Sequence, residues 1–232
     1  MNLRLRYGAL QIEWDRRQPI STLVAALLVF VLSIGTILLS ASRAHAAEFS
    51  QREFENKIGY CLDCHGPSGQ GYHGFYPIPR LAGQQAEYIK NQLQAFVERR
   101  RTNNIMLNVA HVLSPAMIGA LAQRFGEFNP PPLGGGSMSA ASIGKKIYEG
   151  GVPEADVAAC AACHGPNAIG KDQFPRLAGQ LQDYLVNKLT NWDKERGQIA
   201  TKPDPSAIMV PVAHSLNRQQ VQALAAYLSK IR

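Results

Sequence analysis

Cys61-Leu62-Asp63-Cys64-His65 returns 99 residues later as Cys160-Ala161-Ala162-Cys163-His164, and Gly-Pro follows each copy. Two cysteines two residues apart, with a histidine directly after the second, form the pattern that attaches a c-type haem. The sulfurs of Cys61 and Cys64, and of Cys160 and Cys163, would form thioethers to a porphyrin, with His65 or His164 facing the iron from one side. A thioredoxin-type pair would need a strand-helix setting that is not visible in this sequence, and four thiolates could in principle assemble a zinc site. Neither explains a histidine at the same offset after both pairs. These motifs contain all four cysteines of the chain, which leaves none for a disulfide. Two covalently bound haems are therefore expected.

The two halves match well beyond these motifs. PRLAGQ at 79–84 recurs unchanged at 175–180, and Tyr88, Leu93 and Phe96 have counterparts in Tyr184, Leu189 and Trp192. NIMLNVAHVLS at 104–114 matches AIMVPVAHSLN at 207–217, with a copy spacing of 103 residues at the methionine. Such self-similarity marks a duplicated domain. Between the copies, Pro130-Pro131-Pro132-Leu133-Gly134-Gly135-Gly136 reads as a linker, because proline cannot donate a backbone hydrogen bond and glycine resists helix. The organisation expected is a leader over 1–46, one domain over 47–126, a linker over 127–138 and a second domain over 139–232. Domains of this size make a marginal core from protein alone, so a bound haem should supply much of each interior.

The apolar spacing is helical. Tyr88, Leu93 and Phe96 share one face of a helix predicted over 85–100, with an equivalent over 181–194. Ser114-Pro115 supplies an N-cap and a first-turn proline before Met117, Ile118, Leu121 and Phe125, and Asn217 with Gln220 resembles a capping pair before Val221, Leu224 and Leu228. An all-α fold follows.

At the amino terminus, Arg4, Arg6, Arg16 and Arg17 precede an apolar run over 20–39, and Ala44-His45-Ala46 fits a small-residue cleavage site. This is the pattern of a secretory signal. The run is also long enough to span a bilayer, so an uncleaved anchor giving membrane association through 20–39 stays open. Either way the haem-bearing part is expected outside the cytoplasm, in the periplasm. The net charge of +7 falls once the leader is set aside, with 19 Lys and Arg against 15 Asp and Glu from residue 47 onward, and four haem propionates would bring it near neutrality. Arg99-Arg100-Arg101 is the densest basic run, too short for a nucleic-acid face. It reads as a solvated helix end, or as a place where an acidic redox partner docks.

The paired CxxCHGP, PRLAGQ, the tyrosine-bearing helix, the IM(L/V)xVAHxL segment and the terminal helix resemble the dihaem class I cytochromes c of the c4 type over essentially all of 48–232. They are also similar to the dihaem subunit of flavocytochrome c sulfide dehydrogenases. The resemblance implies two tandem class I cytochrome c domains, each a set of helices wrapped around one covalently bound haem. The second half matches better, including GKKIYEGG at 144–151. The first half has Phe54 where the family usually has glycine in the helix before the haem motif. Pro79 and Pro175 resemble the class I proline whose carbonyl accepts the proximal histidine N–H.

Met106 and Met209 lie 41 and 45 residues after His65 and His164 at matching positions expected to be loops, which makes them the sixth ligands of choice. A thioether stabilises ferrous iron. Met117 competes in the first half but sits on the apolar face of a predicted helix, as core. His111 and His214, five residues after the methionines, are the alternative ligands or else border the haem crevice. His73 has no counterpart and reads as a surface loop residue. Arg80, Arg176, Tyr88, Tyr184 and Trp192 can either contact propionates or simply pack.

The resemblance implies a non-catalytic carrier of single electrons in a respiratory chain, between a quinol-oxidising complex or dehydrogenase and a terminal oxidase. The alternative is an electron-accepting subunit of a flavoprotein dehydrogenase such as a sulfide dehydrogenase. A dihaem peroxidase fits less well, since peroxide needs an open iron position and two methionine-closed haems offer none. Mass spectrometry of the denatured holoprotein should show two haem additions; one addition, or a retained zinc ion, would overturn the haem reading.

Overall fold

Ser50 opens the first helix by a reciprocal cap. Its hydroxyl accepts from the Glu53 N–H at 3.2 Å, and the Glu53 carboxylate accepts from the Ser50 N–H at 2.6 Å. Helix α1 (Gln51–His65) then runs unbroken through the first haem motif and stops at Gly66. Helices α2 (Ala86–Val97), α3 (Asn104–Ala110) and α4 (Pro115–Glu127) complete the first half. Its core joins Ile58, Ile89, Met117, Leu121, Ala122 and Phe125. The computed structural model describes residues 49–196 and 204–232; the leader, with its apolar run over 20–39, lies outside them. Among the described residues no single helix is long and apolar enough to cross a membrane.

The second half repeats the plan with α5 (Met138–Gly150), α6 (Ala161–His164), α7 (Gln182–Thr190), α8 (Trp192–Glu195), α9 (Met209–Ser215) and α10 (Arg218–Leu228). Only isolated β-bridges occur among the described residues, so the expected all-α class holds. Where α1 carries its haem motif on one continuous helix, the second half is interrupted. Gly151 takes φ 74°, and a Cβ there would stand 2.2 Å from the Val157 carbonyl, so only glycine permits the turn that ends α5. A 3-10 turn (Pro153–Ala155) and α6 follow, carrying Cys163 and His164.

The helix preceding each haem motif also packs differently. Gly144 on α5 lies so close to α10 that an added Cβ would be 1.9 Å from the Ala223 carbonyl, and the two helices pack tightly along their length. In the first half Phe54 stands in that helix. It is half-buried, stacks on Phe49 with ring centroids 6.0 Å apart, and joins the edge of the core. A bulky ring cannot enter a backbone-to-backbone approach, and α1 accordingly packs more loosely on α4.

Three expectations need correction. The helix over 85–100 ends at Val97, because Arg99 adopts φ 58° and the chain turns so that Arg101 bridges to Arg196. The helix over 181–194 is split at Asn191, whose backbone (φ −116°, ψ 28°) leaves the helical region between α7 and α8. The methionine segments are helices, not loops. Asn103 caps α3 by accepting the Met106 N–H at 3.0 Å, and Pro211 is tolerated in α9 because it falls in the first turn, where no intrahelical donor is needed. The Ser114 cap on Met117 N–H (3.2 Å) and the Asn217–Gln220 capping box form as expected.

The segment joining α4 to α5 is pinned to the fold. The Arg80 guanidinium donates to the Pro130 carbonyl at 2.8 Å and to the Pro131 carbonyl at 3.4 Å, so the prolines are held against the first PRLAGQ. Gly144→Ala should lower stability by about 2 kcal/mol or more through overpacking against a backbone that cannot yield. Gly119→Ala on α4, where an added methyl meets nothing within 4 Å, should instead gain up to about 1 kcal/mol of helix propensity. Urea unfolding of the two holoprotein variants measures both.

Candidate functional site

Each haem motif puts its histidine at the last position of a helix, with glycine beyond it. His65 and His164 are both buried there, and each ring points Nδ1 at a prolyl carbonyl. The distances are 2.8 Å from His65 to Pro79 and 2.9 Å from His164 to Pro175. A carbonyl only accepts, so Nδ1 carries the proton and Nε2 keeps its lone pair for a metal. Burial pushes both imidazoles below the ordinary histidine range, and the prolyl bond opposes it only in part. Both rings are neutral at pH 7, the form that ligates.

The cysteines are unpaired thiols. Cys61 and Cys160 are half-buried, while Cys64 and Cys163 are exposed on the next turn. Burial pushes the Cys61 thiol up to about 11, which is unlike a reactive redox thiolate. Among the described residues no three His, Cys, Asp or Glu side chains converge on one point, so the four cysteines do not form a zinc site. Tyr148, fully buried, donates its hydroxyl to the Gly165 carbonyl at 2.5 Å and locks the chain just past the second motif.

Met106 stands in the first turn of α3 and Met209 begins α9, both half-buried. A 3-10 turn (Pro205–Ile208), capped by Asp204 on the Ser206 N–H at 2.9 Å, sets the start of α9. Met117 is core, packed with Leu121 and Phe125. His111 is exposed, its Nδ1 3.2 Å from the Leu107 carbonyl, and His214 is exposed with Nε2 paired to Asp193. His73 is on a surface loop as expected and also reaches Asp183 of the other half, at 3.2 Å.

Between the halves lies a buried polar seam that the sequence reading missed. Arg101, at the end of the run read as a solvated helix terminus, is 8% exposed. It donates to Gln92 Oε1 and to the Tyr184 hydroxyl, each at 2.8 Å, and Arg196 donates to the same Gln92 oxygen at 2.7 Å. The Thr102 N–H to Glu195 carbonyl bond (2.8 Å) and the Arg101–Arg196 bridge tie the backbones together. Burial works against charge on Arg101, yet Tyr184, Tyr88 and Glu195 outweigh it and raise its pKa. Burial, with Arg101 beside it, lowers that of Arg196.

The residues fit a c-type haem in each half. The thiols and histidine have the attachment spacing, and each histidine is oriented by a carbonyl. Three buried N–H donors along the seam, Arg101 Nε, Arg196 Nη1 and Trp192 Nε1, also have no protein acceptor among the described residues. Buried donors are nearly always paired, and haem propionates are acceptors of the right charge. Trp192 was a sequence candidate for this role. Arg80 and Arg176 were too, but their Nε groups donate to the Ala82 and Ala178 carbonyls, both at 3.0 Å.

The family model for "Cytochrome c" matches twice, over residues 52–125 and 141–232. The chain belongs to the cytochrome c family. Cytochrome c4 of Thiocapsa roseopersicina is 38% identical over 175 residues, which is 73% of this chain and 86% of that one. The "thiosulfate dehydrogenase electron acceptor" of Thiomonas intermedia is 34% identical, over 73% of this chain and 77% of its own length. The solved cytochrome c4 of Acidithiobacillus ferrooxidans superposes with a TM-score of 0.64 at 35% identity, covering 75% of this chain and 99% of that one. The chain is thus a dihaem cytochrome of the c4 type, an electron-transfer protein with two covalently bound haems that exchanges electrons with redox partner proteins.

Proposed function

We propose that the protein is exported to the periplasm and carries single electrons from a quinol-oxidising complex or dehydrogenase to a terminal oxidase. In this reading His65 and Met106 close one iron, and His164 and Met209 close the other. The observation that carries it is the duplicated clamp, two buried histidines each held by a prolyl carbonyl at 2.8 and 2.9 Å. Each haem, when bound, supplies a one-electron ferric–ferrous couple. The remaining work belongs to the chain. The prolyl carbonyls fix ring orientation, and Met106 and Met209, as thioether ligands, would favour the ferrous form and keep small molecules from the iron. Arg101, Arg196 and Trp192 would offer donors to propionates at the seam between the two halves. The apolar run over 20–39 supports export, with retention at the inner membrane if it is not cleaved.

A second reading makes the chain the electron-accepting partner of a sulfur-oxidising dehydrogenase. The likeness to the Thiomonas intermedia electron acceptor favours thiosulfate over sulfide as the source of electrons, and a thiosulfate dehydrogenase as the donor. Stopped-flow mixing of oxidised protein with thiosulfate and a thiosulfate dehydrogenase, and of reduced protein with terminal oxidases, separates the two. Rapid oxidation by an oxidase supports the carrier; reduction only by the dehydrogenase supports the second reading. Rapid peroxide turnover with no partner present would overturn both.

Met106→His and Met209→His should each abolish the near-infrared sulfur-to-iron band of their own haem and lower its potential. A drop of roughly 100 mV corresponds to about 2.3 kcal/mol for one electron. An unchanged band in either variant would remove that methionine from the ligand set.

A further inference from the structure

The two PRLAGQ segments grip each other. The Gln180 side chain, in the second half, accepts from the Arg80 N–H of the first at 2.8 Å and donates to the Arg80 carbonyl at 3.0 Å. Gln84 returns the contact, accepting from the Arg176 N–H at 2.7 Å and donating to the Arg176 carbonyl at 3.0 Å. Both glutamines are buried. The exchange is reciprocal, each copy reading the backbone of the other at the same position.

The peptides being gripped are the ones that hold the histidines. The Arg80 N–H and the Pro79 carbonyl belong to one peptide unit, and that carbonyl accepts the His65 Nδ1–H. The Arg176 N–H and the Pro175 carbonyl are related in the same way to His164. An amide is a resonance unit, so accepting a hydrogen bond from its N–H increases the negative charge on its oxygen. In a buried site such linked bonds strengthen one another. We infer that Gln180 and Gln84 are reciprocal positioning residues: each reaches across the seam and strengthens the prolyl carbonyl that orients the proximal histidine of the other domain's haem.

Glutamine suits the task because one planar amide satisfies both the N–H and the C=O of the arginine backbone, which glutamate or leucine cannot do. Each glutamine oxygen has a second duty in its own domain. Gln180 Oε1 accepts the Leu181 N–H at 3.0 Å and Gln84 Oε1 accepts the Gln85 N–H at 2.9 Å, at the entries to α7 and α2. One oxygen therefore joins the start of a helix in one domain to the proximal ligand of the other. A stronger carbonyl makes the imidazole a better donor, which stabilises ferric iron and lowers the potential. The potential of each haem then depends on its neighbour domain being docked. This rests on His65 and His164 being the proximal ligands.

The test uses holoproteins carrying Gln180→Met, Gln180→Glu, Gln84→Met and Gln84→Glu, with the potential of each haem followed separately by NMR through its methyl signals. Gln180→Met should raise the first-domain potential, shifting its ferric-to-ferrous ratio about threefold, or about 28 mV where tenfold is 59 mV. The second-domain haem should move less, and the His65 Nδ1–H resonance should shift toward a weaker hydrogen bond. Gln84→Met should give the mirror image. Gln180→Glu, nearly isosteric and a stronger acceptor for the Arg80 N–H, should instead lower the first-domain potential below the wild-type value and shift the His65 Nδ1–H resonance toward a stronger hydrogen bond. It also carries the test alone if the methionine variant loses its low-spin spectrum. A change confined to the haem of the mutated domain, or unchanged potentials and histidine resonances, would overturn the inference. If instead the wild-type His65 and His164 Nδ1–H signals lack a paramagnetic shift, it is the ligand assignment beneath it that fails.

Discussion

An imidazole serves as a fixed metal ligand only when its second nitrogen is anchored, and here the anchor is a single prolyl carbonyl in each half. Much of the local structure is arranged to keep that carbonyl in place. The haem motif must end a helix so that the histidine emerges beside a returning loop, and the loop must present Pro79 or Pro175 at hydrogen-bonding distance. Proline contributes a fixed φ and no donor of its own. The next residue, an arginine, has its backbone claimed by the opposite domain and its guanidinium by nearby carbonyls. A shift in any of these would be felt at the imidazole.

The two halves reach the same clamp through different packing. In the second, Gly144 lets α5 and α10 approach backbone to backbone and Tyr148 pins Gly165, so the ligand helix α6 can be short. In the first, Phe54 prevents that approach, and the histidine is carried instead by the stiffness of a fifteen-residue helix that runs through the motif. The duplicated site has been kept at the histidine while its supports diverged. The two haem motifs therefore sit in unequal surroundings, which allows unequal potentials despite the identical histidine clamp.

The haem motifs, the duplication, the prolines and the caps at Ser114 and Asn217 were legible because each is a local pattern with a local physical cause. The seam was not. Arg101 closes a run of three arginines after a helix, and its immediate neighbours in sequence do not indicate that Gln92, Tyr184 and Arg196 surround it. Gln84 and Gln180 are visible as repeated positions, but repetition marks a residue without saying whether it works within its own copy or across to the other. The methionine segments escaped as helices because seven residues are too few to display a period.

The seam also explains why cofactor and domain docking belong to one folding problem. Arg100 finds Asp204 at 3.4 Å and Lys188 finds Glu195 at 2.5 Å, but no protein carboxylate pairs directly with Arg101 or Arg196 among the described residues. The tyrosines and Glu195 favour the charged form of Arg101, but Arg196, which shares the same neutral glutamine oxygen, is disfavoured by burial and by Arg101 beside it, and a poorly compensated interior charge loses several kcal/mol of hydration. A neutral acceptor such as Gln92 satisfies hydrogen bonds without cancelling charge. Haem propionates are the remaining anions of this family that would, and each haem brings two. Their arrival would convert a repulsive arginine pair into the centre of a charge-balanced interface. Attachment of haem and closure of the seam should thus stabilise each other, and closure is the condition under which Gln84 and Gln180 can reach the peptides that hold the histidines.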